Sequence, residues 1–531
     1  MLKVNDLSMS FNGKPLFSSV NLEFKNDNCY GIIGANGAGK STFLKIISKE
    51  IEPSKGEVII GKNERISVLK QDHNEFNDFT VLDTVIMGDS VLYNIMEEKE
   101  AIYMKDNFTD EDGIRAGYLE EEFERLNGWQ AESSAGMLLS GLGVDVNLFS
   151  SKMGELKDSI KVKVLLARAL FGDPDILLLD EPTNGLDIKS KMWLEEFIIN
   201  FKNTVLVVSH DRHFLNKVCT YMVDIDYGKI SLFVGNYDFW YQTNQILQQQ
   251  KRQANKKKED KIKELEDFIR RFSANASKSK QATSRKKSLE KIKLEEIVPS
   301  SRKYPYINFE FDKTLGKEVI VLENVSYKVD DKYILKDINL TVKPTDKIAL
   351  IGNNEIAKTA LLNIISSKIK PTSGIIRYGM TVSLSYYEKD HDEYFQNDVC
   401  LIDWLSNYSS IKDDTFVRGF LGRMLFTGED SLKKVKVLSG GEKVRCMFAK
   451  LMLEKGNVLL LDEPTNHLDM ESITSLNEGL IRFKGAFIIS TFDEEIITTS
   501  CNRLIEIKKD GTKLDKEMPY EEYLEKYGLE E

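Results

Sequence analysis

The stretch that decides the fold of this 531-residue chain reads Gly34-Ala35-Asn36-Gly37-Ala38-Gly39-Lys40-Ser41-Thr42. It lies between an apolar run that ends at Ile33 and another that starts at Phe43, as a phosphate-binding loop lies between a strand and a helix. Glycines let the backbone curl so that its N–H groups point at phosphate oxygens, and the helix N-terminus adds positive partial charge. We therefore predict a nucleotide site in which Lys40 binds the outer phosphates, Ser41 offers a hydroxyl to Mg²⁺, and phosphate contacts come from Gly34, Asn36, Gly37, Gly39 and Thr42.

Length and composition are typical of a soluble protein with several domains. The net charge of -11 argues against a protein that coats nucleic acid over its whole surface, but it leaves local basic patches open. Five cysteines at scattered positions are typical of reduced thiols in a cytoplasmic protein. No apolar run approaches the roughly 18 residues of a membrane span, and the N-terminus lacks an apolar signal core, so we predict that this is not a membrane protein.

Two residues outside the loop are candidates for the same site. Phe11 precedes the loop and could stack on adenine, although an ordinary strand aromatic is an equally good interpretation. Gln71 follows the strand-like Ile66-Ser67-Val68-Leu69 and could contact Mg²⁺ or the attacking water. Neither residue would be informative without the loop.

Acidic and imidazole side chains follow two further apolar runs. Residues 176–179 read as a buried parallel strand, and Asp180 and Glu181 stand at its end. Beside bound phosphate, Asp180 would hold Mg²⁺ through water and Glu181 would polarise the attacking water. His210 follows the apolar run 205–208, and its position after the carboxylate pair favours a γ-phosphate contact over a purely structural role.

Two segments differ in composition from the rest. Residues from about 88 to 130 read as two polar helices with little core-forming periodicity, which predicts a helical arm that stands off the first domain. Between Lys251 and Lys293 there are 16 Lys and Arg against 6 Asp and Glu, in a pattern of one helix to Phe272 and a second through Ile297. Such a basic hairpin is either a solvated linker or, as we favour, a surface for a polyanion, with RNA contacts at Lys278, Lys280, Arg285, Lys286 and Lys287.

The second half of the chain repeats the first. Residues 352–359 stand in the place of the phosphate loop, residues 459–465 repeat 177–183, and Leu438-Ser439-Gly440-Gly441-Glu442 lies between them. This repeat predicts an α/β protein with two tandem P-loop nucleotide-binding domains, 1–236 and 318–531, joined by a helical linker at 237–317.

These motifs resemble the ABC-F ATPases, and the resemblance spans nearly the whole chain. The linker residues 271–285 are particularly similar to the YbiT-type branch of that family. The resemblance implies two ABC domains without transmembrane domains, ATP and Mg²⁺ as ligands, and no obligate protein subunit. It also implies binding to the ribosome, with the linker in the tRNA exit site against rRNA and the P-site tRNA.

The resemblance further implies two composite sites, each formed by the phosphate loop of one half and the signature segment of the other. Site one would combine the loop, Gln71, Asp180, Glu181 and His210 with a second-half segment of Ser439, Gly440, Gly441 and Glu442. Site two would be degenerate, because Glu355 and Ala357 replace loop glycines, Lys157-Asp158-Ser159 replaces the signature Ser-Gly-Gly, and Tyr387 and Thr491 stand for Gln71 and His210. Its candidate residues are Tyr327, Gly352, Asn353, Lys358, Thr359, Asp462 and Glu463.

Three classes of function compete at this point. The first is an ATPase that uses closure of its two domains to regulate or rescue translation on the ribosome. The second is the ATPase subunit of an ABC transporter, which would leave the basic hairpin unexplained. The third is a nucleotide-gated scaffold, or a DNA-associated ABC protein, with little turnover.

Overall fold

The chain folds into two α/β halves with the same order of strands, as seen in a computed structural model. It describes residues 2–11, 14–62, 64–70, 72, 74–272, 300, 302–330, 332–352, 354–466 and 468–528. The strands of the first half are β1 Leu2–Phe11, β2 Lys14–Phe24, β3 Asn28–Gly34, β4 Lys55–Ile59, β5 Ile66–Val68, β6 Ile176–Asp180, β7 Thr204–Val208, β8 Tyr221–Asp226 and β9 Lys229–Val234. Its helices are α1 Lys40–Ile47, α2 Val81–Ile86, α3 Ser90–Tyr103, α4 Asp110–Arg125, α5 Ala131–Gly141, α6 Asp158–Leu170, α7 Ile188–Asn200 and α8 Arg212–Val218, followed by the linker helix α9 Tyr237–Phe272.

The second half repeats this order. Its strands are β10 Ile320–Val329, β11 Lys332–Val342, β12 Lys347–Ile351, β13 Ser373–Tyr378, β14 Leu384–Tyr387, β15 Val458–Asp462, β16 Ala486–Ser490, β17 Arg503–Ile507 and β18 Lys513–Lys516. Its helices are α10 Glu355–Ile365, α11 Leu401–Ser406, α12 Asp414–Arg423, α13 Gly440–Glu454, α14 Met470–Arg482, α15 Glu494–Ser500 and α16 Tyr520–Tyr527.

Each half contains a six-stranded, mostly parallel sheet and a three-stranded antiparallel sheet. The large sheets run β5-β6-β7-β3-β8-β9 and β14-β15-β16-β12-β17-β18, and the small ones β2-β1-β4 and β11-β10-β13. The central strands are continuous apolar runs because helices cover both faces of a parallel sheet. Their carboxyl ends meet at one edge, where ligands bind in such sheets. The predicted tandem α/β architecture is thereby confirmed.

The arm of the first half consists of α3 and α4, as the sequence predicts. The weak core-forming periodicity of the arm is misleading, because apolar side chains from both helices are buried in one cluster with the core of the first half: Leu92, Ile95, Ile102, Ala116, Leu119 and Phe123. These residues are diluted among charges in the sequence, which obscures their periodicity.

The linker begins with α9, whose 36 residues correspond to a length of about 54 Å. The predicted second linker helix lies outside the described residues, and so do the five proposed RNA contacts, Lys278, Lys280, Arg285, Lys286 and Lys287. In the part of the chain that the structure describes, none of the helices combines the length and apolar character needed to cross a bilayer.

The two halves exchange one apolar side chain each. Ile188 is the first residue of α7, yet it is buried in the core of the second half. Met470 is the first residue of the equivalent helix α14, and it is buried in the core of the first half. Burying a side chain of this kind stabilises by roughly 1.5–3 kcal/mol, so this reciprocal exchange contributes to holding the halves together.

Candidate nucleotide sites

The phosphate loop of the first half is an open turn between β3 and α1. Gly37 and Gly39 have φ angles of 80° and 100°, which L side chains rarely adopt, and nothing lies within 4 Å of the place that a Cβ on Gly37 would occupy. Helix α1 therefore starts only at Lys40, after the last glycine of the loop. The Ala38 N–H is used inside the turn, where it donates to the Ala35 carbonyl oxygen at 3.0 Å. The open shape of the turn is the one that the glycine pattern predicts for phosphate binding.

Lys40 is held by the loop itself. Its Nζ donates to the carbonyl oxygen of Gly34 at 2.8 Å and to that of Ala35 at 3.3 Å. Burial lowers the pKa of this lysine, and neighbouring carboxylates, with Glu181 first, partly oppose that shift. The amine is thereby positioned at the loop and close to the predicted catalytic carboxylate.

The predicted residues of the first half converge on one cavity of about 430 Å³. Its walls contain ten of them, from the loop, from the strand ends and from β1: Phe11, Asn36, Gly37, Gly39, Lys40, Ser41, Thr42, Asp180, Glu181 and His210. Gly34 lies at the end of β3, where it begins the loop. Gln71 lies outside the described residues.

Glu181 and His210 form a close pair at the end of the sheet. The backbone N–H of His210 donates to Oε2 of Glu181 at 3.2 Å, and His210 Nε2 lies 3.2 Å from Oε1. Burial raises the pKa of Glu181 to about 8, and burial lowers the pKa of His210 to about 4. Because the charged carboxylate is disfavoured, Glu181 is suited to accept a proton, and the imidazole stays neutral beside it.

The predicted signature segment of the second half is not part of this cavity. Ser439 caps helix α13 by accepting from the N–H of Glu442, and Glu442 accepts in return from the Ser439 N–H at 2.8 Å. Gly440 and Gly441 form the first turn of that helix. The second half instead reaches the loop through Asp469, whose Oδ2 accepts from Asn36 Nδ2 at 3.4 Å. A role of the signature segment at site one remains a prediction.

At site two the segment that corresponds to the glycine turn of site one is helical. Helix α10 already begins at Glu355, the counterpart of Gly37, and it includes Ala357, the counterpart of Gly39. The side chain of Asn354 caps it by accepting from the Ala357 N–H at 3.2 Å. The N–H groups of Ala357 and Lys358, which would face a phosphate in an open loop, are thus both bonded to Asn354. Gly352 precedes the helix, and Asn353 lies outside the described residues.

Lys358 of site two is enclosed by the protein. The side chain is 1 % exposed, and its Nζ lies 4.0 Å from Glu463 and 4.1 Å from the centre of the Phe492 ring. Burial lowers the pKa of Lys358 and raises that of Glu463 to about 7. Asp462, at the end of β15, is buried as well, and Thr359 follows Lys358 on α10.

Strand pairing and helix caps each correct one of the predicted equivalences between the two sites. Val68 pairs with Leu178 in the first half and Tyr386 pairs with the equivalent Leu460 in the second, so the counterpart of Gln71 is Lys389 and not Tyr387. Asp211 and Asp493 cap the equivalent helices α8 and α15, so the counterpart of His210 is Phe492 and not Thr491.

Tyr327, the aromatic candidate of site two, is likewise not the counterpart of Phe11. Phe11 pairs with Lys14 at the end of β1, and the residue that makes the equivalent pair at the end of β10 is Val329. Tyr327 instead packs against the core of the second half. Sequence reasoning missed Lys389 and Phe492, which aligning Ser67 with Ser385 and Asp211 with Asp493 would have found.

The counterpart of the signature segment lines site two and adds a carboxylate, that of Asp158, to this site. Asp158 and Ser159 line a cavity of about 620 Å³ between the halves, together with Glu355, Lys389 and Glu463. Lys389 donates to Glu355 at 2.7 Å, so this cation is already paired with a carboxylate of the protein. Two unit charges about 4 Å apart interact by about 4 kcal/mol at an effective dielectric of 20, so these carboxylates oppose a bound phosphate.

The residues of site one fit ATP with Mg²⁺, whereas the loop of site two is helical and carboxylates line its cavity. Site one offers an open glycine turn, a lysine, the hydroxyl of Ser41 and the carboxylate of Asp180 around one cavity. A hydroxyl and a carboxylate are the oxygen ligands that Mg²⁺ accepts beside phosphates. At site two the corresponding segment is helical, and the carboxylates of Asp158, Glu355 and Glu463 line the cavity.

Comparison with known proteins agrees with this repeated architecture. Residues 17–184 and 335–466 match the ABC transporter family, and residues 223–309 match a second family, also described as ABC transporter. The chain is 56% identical to the ABC transporter ATP-binding protein YkpA of Bacillus subtilis, over 99% of this chain and 97% of that protein. It is 44% identical to the ATP-binding protein YbiT of Escherichia coli O157:H7, over the full length of both.

A solved structure shares the fold at low sequence identity. The archaeal ribosome recycling factor aABCE1, in complex with the ribosomal stalk protein aP1, matches 97% of this chain and 90% of its own with a TM-score of 0.62 and 16% identity. The ABC domains that match residues 17–184 and 335–466 hydrolyse ATP, so the protein is an ATPase. The chain belongs to the ABC-F family of ABC ATPases, which carry two ATP-binding domains in one polypeptide.

Proposed function

We propose that the protein is a cytoplasmic ATPase that acts on the ribosome and hydrolyses ATP at site one alone. The observation that carries the asymmetry is the pair of loops: an open glycine turn in the first half and a helix in the second. In this proposal site two is a structural remnant, and a single nucleotide controls how the two halves close.

The chemistry of site one follows from its own side chains. Lys40 binds the outer phosphates, and Ser41 and Asp180 hold Mg²⁺, which neutralises phosphate charge when bound. Glu181 accepts the proton of the attacking water, because its raised pKa matches it to that task near neutral pH. His210 fixes the orientation of Glu181 through the backbone and imidazole contacts described above. Gln71 is proposed to orient the same water.

The ribosomal part of the proposal is supported by charge and by family. Helix α9 projects a 36-residue rod from the first half, and the basic stretch 251–293 begins on it, in a chain whose net charge is -11. A concentrated positive segment on an acidic protein is suited to the phosphates of rRNA and of a P-site tRNA in the exit site. The archaeal protein of the same fold is a ribosome recycling factor, and that likeness is one of fold.

The basic hairpin provides the test. Replacement of Lys278, Lys280, Arg285, Lys286 and Lys287 by Gln should weaken co-sedimentation of the Glu181→Gln protein with ribosomes in the presence of ATP. The slope of log affinity against log salt should flatten by up to about four, since fewer counterions are released. A matched control removes five exposed lysines elsewhere: Lys25, Lys202, Lys332, Lys484 and Lys509.

The outcomes separate the competing classes of function. Ribosome affinity lost in the hairpin variant and retained in the control supports RNA contacts by the hairpin. Equal affinity and slope in both variants contradicts them. Recovery of the wild-type protein with membranes and not with ribosomes would favour the transporter subunit.

A further inference from the structure

A buried cluster of charges joins the linker to both halves next to the phosphate loop of site one. Its centre is Arg302, on the segment by which the chain returns from the linker, and this side chain is only 6 % exposed. Its guanidinium group forms ion pairs with Asp224 and Asp226 of strand β8 and with Glu471 of helix α14. The Asp226 and Glu471 contacts measure 3.1 and 3.3 Å. One cation thus bridges three buried carboxylates that come from opposite halves.

The first turn of the linker helix belongs to the same cluster. The Arg302 guanidinium lies 4.8 Å from the centre of the Trp240 ring, and the Trp240 Nε1 donates to Asp224 at 3.3 Å. Both ends of the linker, the departing helix α9 and the returning segment, therefore meet at one arginine. A displacement of either end changes the contacts of this group.

The cluster borders the nucleotide loop. A small cavity is lined by Gly34, Lys40 and His210 of site one together with Trp240, Arg302 and Glu471. Strand β8, which carries the two aspartates, pairs directly with β3, the strand that ends in the loop. Asp469 and Glu471 flank Met470, which is buried in the first half, and Asp469 contacts Asn36 of the loop.

Among the residues that the structure describes, the second half shows no equivalent of this cluster. The counterpart of Asp224 is Glu506, which accepts from the Tyr523 hydroxyl at 2.6 Å within the same half. The counterpart of Asp226 is Lys508, and the counterpart of Glu471 is Lys189. The arrangement therefore belongs to site one, the site with the open loop.

We propose that Arg302 is a positioning residue for ATP hydrolysis at site one, where it holds Glu471 and the start of helix α14 against the phosphate loop. Its planar guanidinium group carries five N–H donors that reach carboxylates on several sides, whereas an ammonium group is a compact charge with three donors. Because both linker ends contact this group, a partner that displaces either end would alter turnover through it. This inference deepens the proposed function, since it rests on site one being the active site.

The test uses four variants of the full chain, with Arg503→Lys as a control: Arg302→Gln, Arg302→Lys, Glu471→Gln and the double variant that combines Arg302→Gln with Glu471→Gln. Arg503 is also a buried arginine, paired with Asp346 and Asp515, but all of these residues belong to the second half. The Arg302→Gln variant should have a kcat lower by about tenfold or more, because a small displacement of groups at a reacting centre slows the reaction by that much. ATP affinity should change by less than about threefold, since binding groups remain in place.

Two comparisons distinguish positioning from loss of structure. Arg302→Lys retains the charge and should recover part of kcat, and Glu471→Gln, a neutral isostere that leaves Arg302 paired with the aspartates, should lower kcat as well. Combining Arg302→Gln with Glu471→Gln should cost no more than Arg302→Gln alone, because both changes break one interaction. Turnover is expressed per ATP bound at saturation, so misfolded protein that binds no ATP does not lower the measured kcat. If Arg302→Gln does not fold, the remaining variants decide.

Three results would overturn the proposal. They are a kcat in the Arg302 and Glu471 variants equal to that of the Arg503→Lys control, equal losses in kcat and ATP affinity, or additive effects in the double variant. The Glu181→Gln protein is measured in the same assay. If that protein keeps wild-type turnover, hydrolysis does not occur at site one and the proposed function fails too, whereas normal turnover in the Arg302 and Glu471 variants alone refutes only the positioning role.

Discussion

The two halves of this protein present the same catalytic carboxylate in two different surroundings. Glu181 and Glu463 both follow a buried strand, both have a positive φ, of 53° and 49°, and both donate their N–H to the neighbouring strand at 2.8 Å. Burial raises the pKa of both. What differs is the phosphate loop, which is an open turn before Lys40 and a helix before Lys358. A poised carboxylate is therefore a property of the fold, and we propose that the loop decides whether it has a substrate.

The largest effect is expected from transferring the defect of site two into site one. Gly37→Glu combined with Gly39→Ala places a carboxylate and a strained residue in the loop, because both positions have positive φ. A carboxylate about 4 Å from phosphate costs about 4 kcal/mol at an effective dielectric of 20, so ATP affinity should fall roughly 1000-fold and turnover should disappear. Titration with a fluorescent ATP analogue measures the affinity. Unchanged binding would show that the glycines are dispensable.

A large effect on turnover alone is expected from Glu181→Gln. The amide cannot accept the proton of the attacking water, so kcat should fall by about 100-fold or more while ATP affinity remains. Steady-state phosphate release measures it. Retention of wild-type turnover would remove Glu181 from the mechanism.

How much of this account the sequence predicts depends on whether the signal is local. The loop at residues 34–42 and the carboxylates at 180 and 181 are recognisable because one short segment contains the whole pattern. Lys389 and Phe492 were missed because a short strand does not define its own register. The pairing with β15 and the caps of α8 and α15 define it, and the sequence marks it only through single residues such as Ser385 and Asp493.

Other features depend on residues that are far apart in the chain. The Arg302 cluster combines segments near residues 224, 302 and 471, and no pattern in the sequence links them. The burial of the arm was missed for a related reason, because its apolar residues gain a partner only when α3 and α4 pack on each other and on the first domain. Local chemistry is thus predictable, whereas proximity created by folding is not.

A moderate effect is expected from pH. Since burial raises the pKa of Glu181 to about 8, the carboxylate is mostly protonated at pH 7 and becomes available as a base as pH rises. The ratio kcat/KM, which reports the free enzyme, should increase up to about tenfold between pH 7 and 9 and then level off. The residual activity of Glu181→Gln should lack this rise. A flat profile of the wild-type protein would contradict the role of Glu181.

The smallest effect is expected at site two. Glu463→Gln should leave kcat within about twofold of the wild-type value, because its carboxylate faces the enclosed Lys358 and no phosphate. Phosphate release under the same conditions as for Glu181→Gln provides the matched comparison. A loss as large as that of Glu181→Gln would show that site two is catalytic.

The most direct test of the central claim is the number of ATP molecules that one chain holds. Equilibrium dialysis of the Glu181→Gln protein with labelled ATP and Mg²⁺ counts them, because hydrolysis at site one is blocked while binding is retained. The account predicts about one tightly bound ATP per chain, since only the first loop is an open turn. Two sites of similar affinity would contradict it.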